Sequence, residues 1–440
     1  MSQLNNCSVT LAKSIMSESS EGGGRLIVFM DVNDDTESEL IFAAKELNAV
    51  ILKRTVTELD LVHFKKPVEL FLIGSDENEN VTRATAITEK LNKRCSKQDM
   101  KIFAFAHSRA SGRIIDSVEY GNLLNSANLS EVVSANVDFR YRCPSFHLRR
   151  VDVYRQFVWN ELPKMGFFAD GKDISILIVG FGTYGMEFFK GASWFCQLLG
   201  RKLEINIIDK NPDIDSVLMR YCPGLPTVNE KINPDYSVEC ISDVDIETDR
   251  FDRLLRDASE TGARLRRTTH VIIALGSDDA DTEAAIYLRE LFDRVDPLET
   301  AEREKTQIFA LLYDDHLSSG DSPQNRSLIN HKKTPYNINF IGGLSAKYNH
   351  GVICNYDLEE KGLKLHLNWE EKESEDIQDR LLYEKFEYYR LSSMAQALYR
   401  EELNEYMKAY PDDHKNDEQR LKNNEHNRWI IYMCADGYIR

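Results

Sequence analysis

Long apolar runs are missing from this 440-residue chain. The longest, Ile174 to Gly182, is strand-sized and falls well short of the ~20 residues that cross a bilayer, so no membrane insertion is expected. The opening stretch MSQLNNCSVTLAKS lacks the charged-then-apolar order of a secretory leader, so no signal peptide is expected. Cysteine is sparse. Eight residues stand at 7, 95, 143, 196, 222, 240, 354 and 434 without a CxxC pair, which argues against a disulfide scaffold or a structural zinc site and fits a reduced, cytoplasmic protein. Positive charge is in deficit. With 55 basic against 72 acidic residues the formal net charge is −17, which makes nucleic-acid backbones and anionic membranes poor partners. Catalytic signatures are absent too: there is no GxSxG, HExxH, Walker A or SxxK, and the ten histidines lack metal-ligand spacing. No catalytic residue and no metal ligand is assigned.

Apolar material is plentiful, at 42% hydrophobic and 10% aromatic residues, and the length suits two or three domains of about 150 residues. Short β-branched runs alternate with amphipathic stretches, the pattern of an α/β fold with parallel strands and covering helices. Strands are expected at 25–31, 49–53, 68–74 and 101–107, with helices near 36–47 and 81–93. A second series follows at 174–180, 203–209, 236–242, 269–276 and 306–313, with helices near 184–199, 246–258 and 279–293. LFLIGSDENENVTRATAI (70–87) parallels VIIALGSDDADTEAAIYL (271–288), and KIFAFA (101–106) parallels QIFALL (307–312). The strand ending in Asp31 likewise matches the one ending in Asp209. The expected architecture is two tandem doubly wound Rossmann-like domains, 1–165 and 172–342, followed by a small helical C-terminal domain, 343–440.

The two copies are not equivalent. GGG at 22–24 precedes its strand, so it reads as a flexible connection, and the chain before Arg25 is too short for a good first strand and loop. The first copy is expected to be degenerate. In the second, ISILIVGFGTYG places Gly180, Gly182 and Gly185 between a strand and a helix, with Thr183 and Tyr184 inside the loop. Gly180 suits a tight turn, Gly182 a close approach to a pyrophosphate, and Gly185 close packing of helix on strand. Asp209 ends the next strand, followed by Lys210, where a carboxylate can accept ribose hydroxyls and disfavours a 2′-phosphate. The pattern serves either NAD(H) or an adenine nucleotide such as ATP or ADP, or a turn of this type that holds nothing.

These residues, with CISDVD (240–245) and ALGSDD (274–279), resemble the TrkA-N, or RCK N-terminal, domain. Such domains regulate potassium transport and bind NAD(H), ATP or related nucleotides. The resemblance implies that Ser242 and Asp243 lie beside the adenine, that Gly276 and Ser277 lie beside ribose and phosphates, and that the chain forms a homodimer. No pore segment and no recognisable RCK C-terminal subdomain accompany it.

After residue 343 helices are expected at 354–368, 376–410 and 419–435, and a loop at 318–335. Glu425, His426, Asn427, Arg428 and Trp429, with Gly437 and Tyr438, resemble the core motif of prokaryotic RyR-type domains over 415–440, with Tyr389 and Arg390 as further candidates. Glu425 and Arg428 stand at i,i+3 and can pair. Either this cluster reads a second ligand, or Trp429, Ile430 and Met433 form a core stripe while Glu425 and Arg428 make a structural bridge. Asp278 and Asp279 suit a helix cap. The basic islands 148–155 and 263–267 suit solvated faces or salt bridges between subunits. The expected function is a nucleotide-binding sensor or regulator rather than an enzyme. The alternatives are an NAD-dependent oxidoreductase and a nucleotide-sensing component of a bacterial defence system, in whose settings RyR-type modules recur.

Overall fold

The computed structural model describes all residues except 19–24, 62–65, 95–99, 121–145, 170, 229–231, 296–305, 316–329, 332–333, 336–337, 370–382, 384–385, 412–417 and 439–440. The chain divides into two compact units. Unit 1 comprises Met1–Gln156 with Ser345–Ala397, and unit 2 comprises Phe157–Leu344 with Leu398–Arg440. Residues 343–440, expected as a helical domain of their own, are thus shared between the two.

Unit 1 carries a parallel pair, β1 (Val28–Phe29) and β2 (Val50–Ile51), and a parallel sheet in the order β3 (Val68–Leu72), β4 (Met100–Phe105), β5 (Phe146–Val151). Met1 and Ser2 lie between them. The Met1 ammonium donates to the Val28 carbonyl at 2.9 Å, Met30 N–H donates to the Met1 carbonyl at 3.0 Å, and Ser2 N–H donates to the Phe71 carbonyl at 2.8 Å. The neighbour order is therefore β2, β1, Met1–Ser2, β3, β4, β5. Before Arg25, where the chain was expected to be too short for a good first strand and loop, Met1–Ser2 takes the strand position and a helix follows at Asn6–Glu18. Both faces of β3 and β4 are buried, as continuous apolar runs in parallel sheets require. Phe71, Phe103 and Val151 pack with Leu11, Ile15 and Ile353, while Leu72, Ile102 and Leu148 pack with Ala84 and Ile87 on the Glu77–Arg94 helix.

Unit 2 is built on a six-stranded parallel sheet in the order β8 (Tyr236–Ile241), β7 (Leu203–Ile208), β6 (Ile174–Val179), β9 (His270–Ile273), β10 (Gln307–Leu312) and β13 (Ile338–Gly342). In chain order this reads 3-2-1-4-5-6, the doubly wound arrangement with its reversal between β6 and β9. The short antiparallel pair β11 (Asn330–His331) and β12 (Thr334–Pro335) falls where a loop was expected, most of which lies outside the described residues. Leu177, Val179, Val271 and Ala310 face the Asp249–Arg256 and Asp278–Val295 helices through Phe251, Leu255, Ala285 and Leu288. The Thr183–Phe195 helix packs against the Glu418–Ala435 helix, and Trp194 meets Trp159 and Tyr432 at centroid distances of 5.5 and 5.9 Å.

Two side-chain anchors recur in both units. Gly74 N–H donates to Asn80 Oδ1 at 2.7 Å, and Leu275 N–H donates to Asp281 Oδ1 at 2.6 Å. The Glu77 carboxylate accepts from His107 and Ser108 N–H at 3.2 and 3.1 Å, and Asp278 accepts from Tyr313 and Asp314 N–H at 2.6 and 3.3 Å. Asp278 therefore ties two strand ends together, and the helix cap expected of it falls to Ser277, whose Oγ accepts from Ala280 N–H at 3.2 Å. The expected GGG connection lies outside the described residues. No described helix is long and apolar enough to cross a membrane.

Candidate functional site

β6 ends in Val179, and Gly180 follows at φ +89°, a conformation that L side chains rarely adopt. A Cβ there would stand 2.5 Å from the Ala274 carbonyl, so the strand could not turn this close to β9 with any other residue. A Cβ on Gly185 would stand 2.0 Å from the Gly180 carbonyl, which is why helix and strand approach closely only with glycine. Gly182 differs. It is exposed, nothing lies within 4 Å of a Cβ built on it, and it precedes a helix whose first turn has neither a side-chain cap nor an acidic residue. The first N–H groups of a helix have no partner within it and carry the positive end of its dipole. The loop thus presents an open anion position.

Asp209 closes one side of this opening. Its carboxylate accepts from Phe181 N–H at 2.6 Å and from Asn211 N–H at 2.8 Å, which aims it across the loop from the end of β7. Lys210, Thr183, Gly276 and Ser277 are exposed, Ser242 is half-buried, and Gly276 adopts φ +106°. Asp243, at φ +56°, is held by the Arg250 guanidinium, which donates to both its carbonyl and its carboxylate. All of these follow the C-terminal ends of β6 to β9, the place where doubly wound sheets open a crevice. Tyr184 is buried, with its ring edge-on to Phe157 and Tyr313 at 5.8 Å each.

In unit 1 the start of the Asn6–Glu18 helix, which follows Met1–Ser2, meets protein groups. Asn5 Oδ1 accepts from Ser8 N–H at 2.8 Å while Ser8 Oγ accepts from Asn5 N–H at 3.0 Å, a reciprocal cap on the Asn6–Glu18 helix. The Arg83 guanidinium, only 7% exposed, donates to the Ser2 carbonyl at 3.1 Å and pairs with Asp31 and Glu79. Asp31, whose strand the sequence matches with the one ending in Asp209, is therefore already paired with a cation.

The C-terminal candidates separate. Tyr389 and Arg390 belong to unit 1, whereas Glu425, His426, Arg428 and Trp429 belong to unit 2. Arg428 is fully buried. Its Nε and Nη2 donate to the two Glu425 oxygens at 2.9 Å each, and its guanidinium carbon lies 5.8 Å from the Trp194 ring and 5.3 Å from Tyr399. His426 is exposed and stacks on half-buried Trp429 at 6.0 Å. The core stripe runs through Arg428, Ile431, Tyr432 and Cys434 with Met433, so of the apolar trio expected there only Met433 is fully buried.

Sequence reasoning missed the ion network of unit 1. Arg149 reaches Glu359 and Arg150 reaches Glu387, each at 2.9 Å. Burial pushes the Glu387 carboxyl up, but the Arg150, Arg155 and Arg390 guanidiniums outweigh it and hold that carboxyl below the usual range. The two basic islands thus meet carboxylates of their own chain, and Arg264 and Arg267 do the same with Glu239 and Glu204. Lys101, His147, Arg149, Tyr356 and Tyr383 line a small cavity of about 260 Å³ beside this network. The one sequence signal was LRRV itself: two arginines within a strand face buried surface only when partnered. Among the described residues no group of His, Cys, Asp and Glu is arranged to hold a metal ion. No family model matches this chain, and no curated protein is recognisably similar to it in sequence.

Proposed function

We propose that this chain is a nucleotide-binding sensor or regulator whose second unit takes NAD(H) or an adenine nucleotide at the Gly180–Gly185 loop. The observation that carries the reading is the open, uncapped helix N-terminus after exposed Gly182, set at the strand-order reversal and faced by the Asp209 carboxylate. A diphosphate on these amides leaves Asp209 as the acceptor for ribose hydroxyls. Ser242, Asp243, Gly276 and Ser277 frame the rest of the crevice, as in the TrkA-N-type domains the loop resembles. Unit 1 is a degenerate copy of the same doubly wound domain. The shared neighbour order and the two recurring anchors support common origin, and Arg83 with the Asn5–Ser8 cap supports loss of its ligand. By the same resemblance the working form is a homodimer.

Native mass spectrometry with ATP, ADP, NAD and NADH offered in turn tests this reading and reads the oligomeric state at once. One of the four is expected to add to the protein, and Gly182→Asp is expected to abolish the adduct. That variant keeps the fold, since Gly182 sits at φ −71° with open space around its Cβ position and a carboxylate suits a helix N-terminus. No adduct with any of the four, or an adduct that survives Gly182→Asp, overturns the proposal.

A further inference from the structure

The opposite end of the unit 2 sheet carries a second opening. Beneath the N-terminal ends of β6, β7, β9, β10 and β13 lies a cavity of about 980 Å³, at the upper end of the range for small-molecule sites. Its charge runs against that of the chain. Lys164, Lys172, Arg201, Lys202 and Arg267 line it, against Asp173 and Glu204, in a protein of net charge −17. Most of these cations are partnered within the protein: Lys164 pairs with Glu161 at 2.7 Å and Arg267 with Glu204 at 3.4 Å, and Lys172 and Arg201 are not free. Helix dipoles account for little of it. Arg267 sits at the C-cap of the Glu260–Arg266 helix and Lys164 in the last turn of the short Leu162–Met165 helix, where a cation is favoured, but Lys172 and Lys202 stand at no helix end.

A second observation comes from the cavity wall. Ser175, on β6, lines it and is only 5% exposed, and its hydroxyl has no hydrogen-bond partner among the described residues. Its backbone is fully engaged, accepting from Thr269 N–H at 2.8 Å and donating to Thr269 Oγ1 at 3.1 Å, so the residue is fixed while the side chain is left over. A buried hydroxyl without a partner is uncommon, and it keeps a polar atom just behind this wall of the cavity. Gln307 and Asn339 add amides to the same wall, with Asn339 Nδ2 donating to Gln307 Oε1 at 3.4 Å.

We infer that this cavity binds a small polyanion carrying at least two phosphate-class groups. The lysines and arginines at the rim supply the charge, and the Asn339 and Gln307 amides orient one end. The site is separate from the glycine loop. Ser175 and Gly180 stand at the two ends of one strand, about 17 Å apart at 3.3 Å per residue.

Inorganic tripolyphosphate, titrated into the full chain by isothermal calorimetry, is the probe. Binding is expected for the wild type and is expected to weaken as salt rises. Lys202→Glu with Arg267→Glu, both solvent-facing, is expected to weaken it at least about tenfold, since two like charges then face the anion. Lys202→Arg with Arg267→Lys is expected to keep it, and binding at this cavity is expected to persist in Gly182→Asp, which closes the anion position of the glycine loop. Circular dichroism and the unfolding temperature confirm that the charge-reversed protein is folded. No binding by the wild type, equal binding by the charge-reversed protein, or loss of binding in Gly182→Asp alone overturns the inference.

Discussion

Replacing Glu425 by alanine would leave the Arg428 guanidinium buried with its charge uncompensated. Arg428 has no exposed surface, and Glu425 is the acceptor for its Nε and Nη2, while Nη1 has no partner among the described residues. Each orphaned buried donor costs about 1–3 kcal/mol, and breaking a buried ion pair by removing one partner costs about 3–5 kcal/mol. The ring faces of Trp194 and Tyr399 offset about 1 kcal/mol of that, because a cation within about 6 Å of an aromatic face is attracted to it. Glu425→Ala is therefore expected to destabilise unit 2 by about 3 kcal/mol. Adding Arg428→Met removes the stranded charge and fills the space with apolar surface, so the double variant is expected to regain at least half of the loss. Urea unfolding followed by tryptophan fluorescence suits the question, since Trp194 lies against the guanidinium. A single variant that loses less than about 1 kcal/mol, or a double variant as unstable as the two single losses added together, would refute the reasoning.

Two further perturbations follow. Burial works against the charge on His350, but hydrogen bonds with Cys354, Glu69 and Glu18 raise its pKa from 6.5 to about 10. A raised folded-state value stabilises fully below pH 6.5 and fades as the pH climbs toward 10, so the melting temperature should fall across that window in the wild type. His350→Gln should flatten this slope, and identical slopes would refute the assignment. Asn206 is fully buried in β7, and neither amide atom has a partner among the described residues. Asn206→Leu is expected to stabilise the protein by about 1–2 kcal/mol in chemical denaturation, and a destabilised variant would show that the amide is satisfied.

The parallel strands were legible because burial on both faces demands unbroken β-branched runs, as in ISILIV and HVII. β5 was not, because FHLRRV hides a strand behind two arginines whose carboxylate partners lie more than 200 residues further along the chain. Met1 and Ser2 escaped notice because two residues carry no period. The glycine loop and Asp209 were legible because their conformational demands select residue types locally. Arg428 was not: charge in a sequence suggests surface, and only its aromatic and carboxylate neighbours show it to be core. The polyanion cavity was equally hidden, since its wall is gathered from separate segments between Lys164 and Asn339.

Each unit takes its two stretches from either side of the other's sequence, and ribosomal synthesis therefore delivers their parts out of order. Phe71 and Phe103 of unit 1 emerge early, but Ile353 and Cys354, which complete the same cluster, follow only after the six-stranded sheet has been made. Unit 2 in turn waits for the Glu418–Ala435 helix to cover Trp194. A nascent chain paused near residue 344 carries both sheets but lacks Ile353 and Cys354 of the unit 1 cluster and the helix that covers Trp194, the kind of exposed intermediate that calls on chaperones.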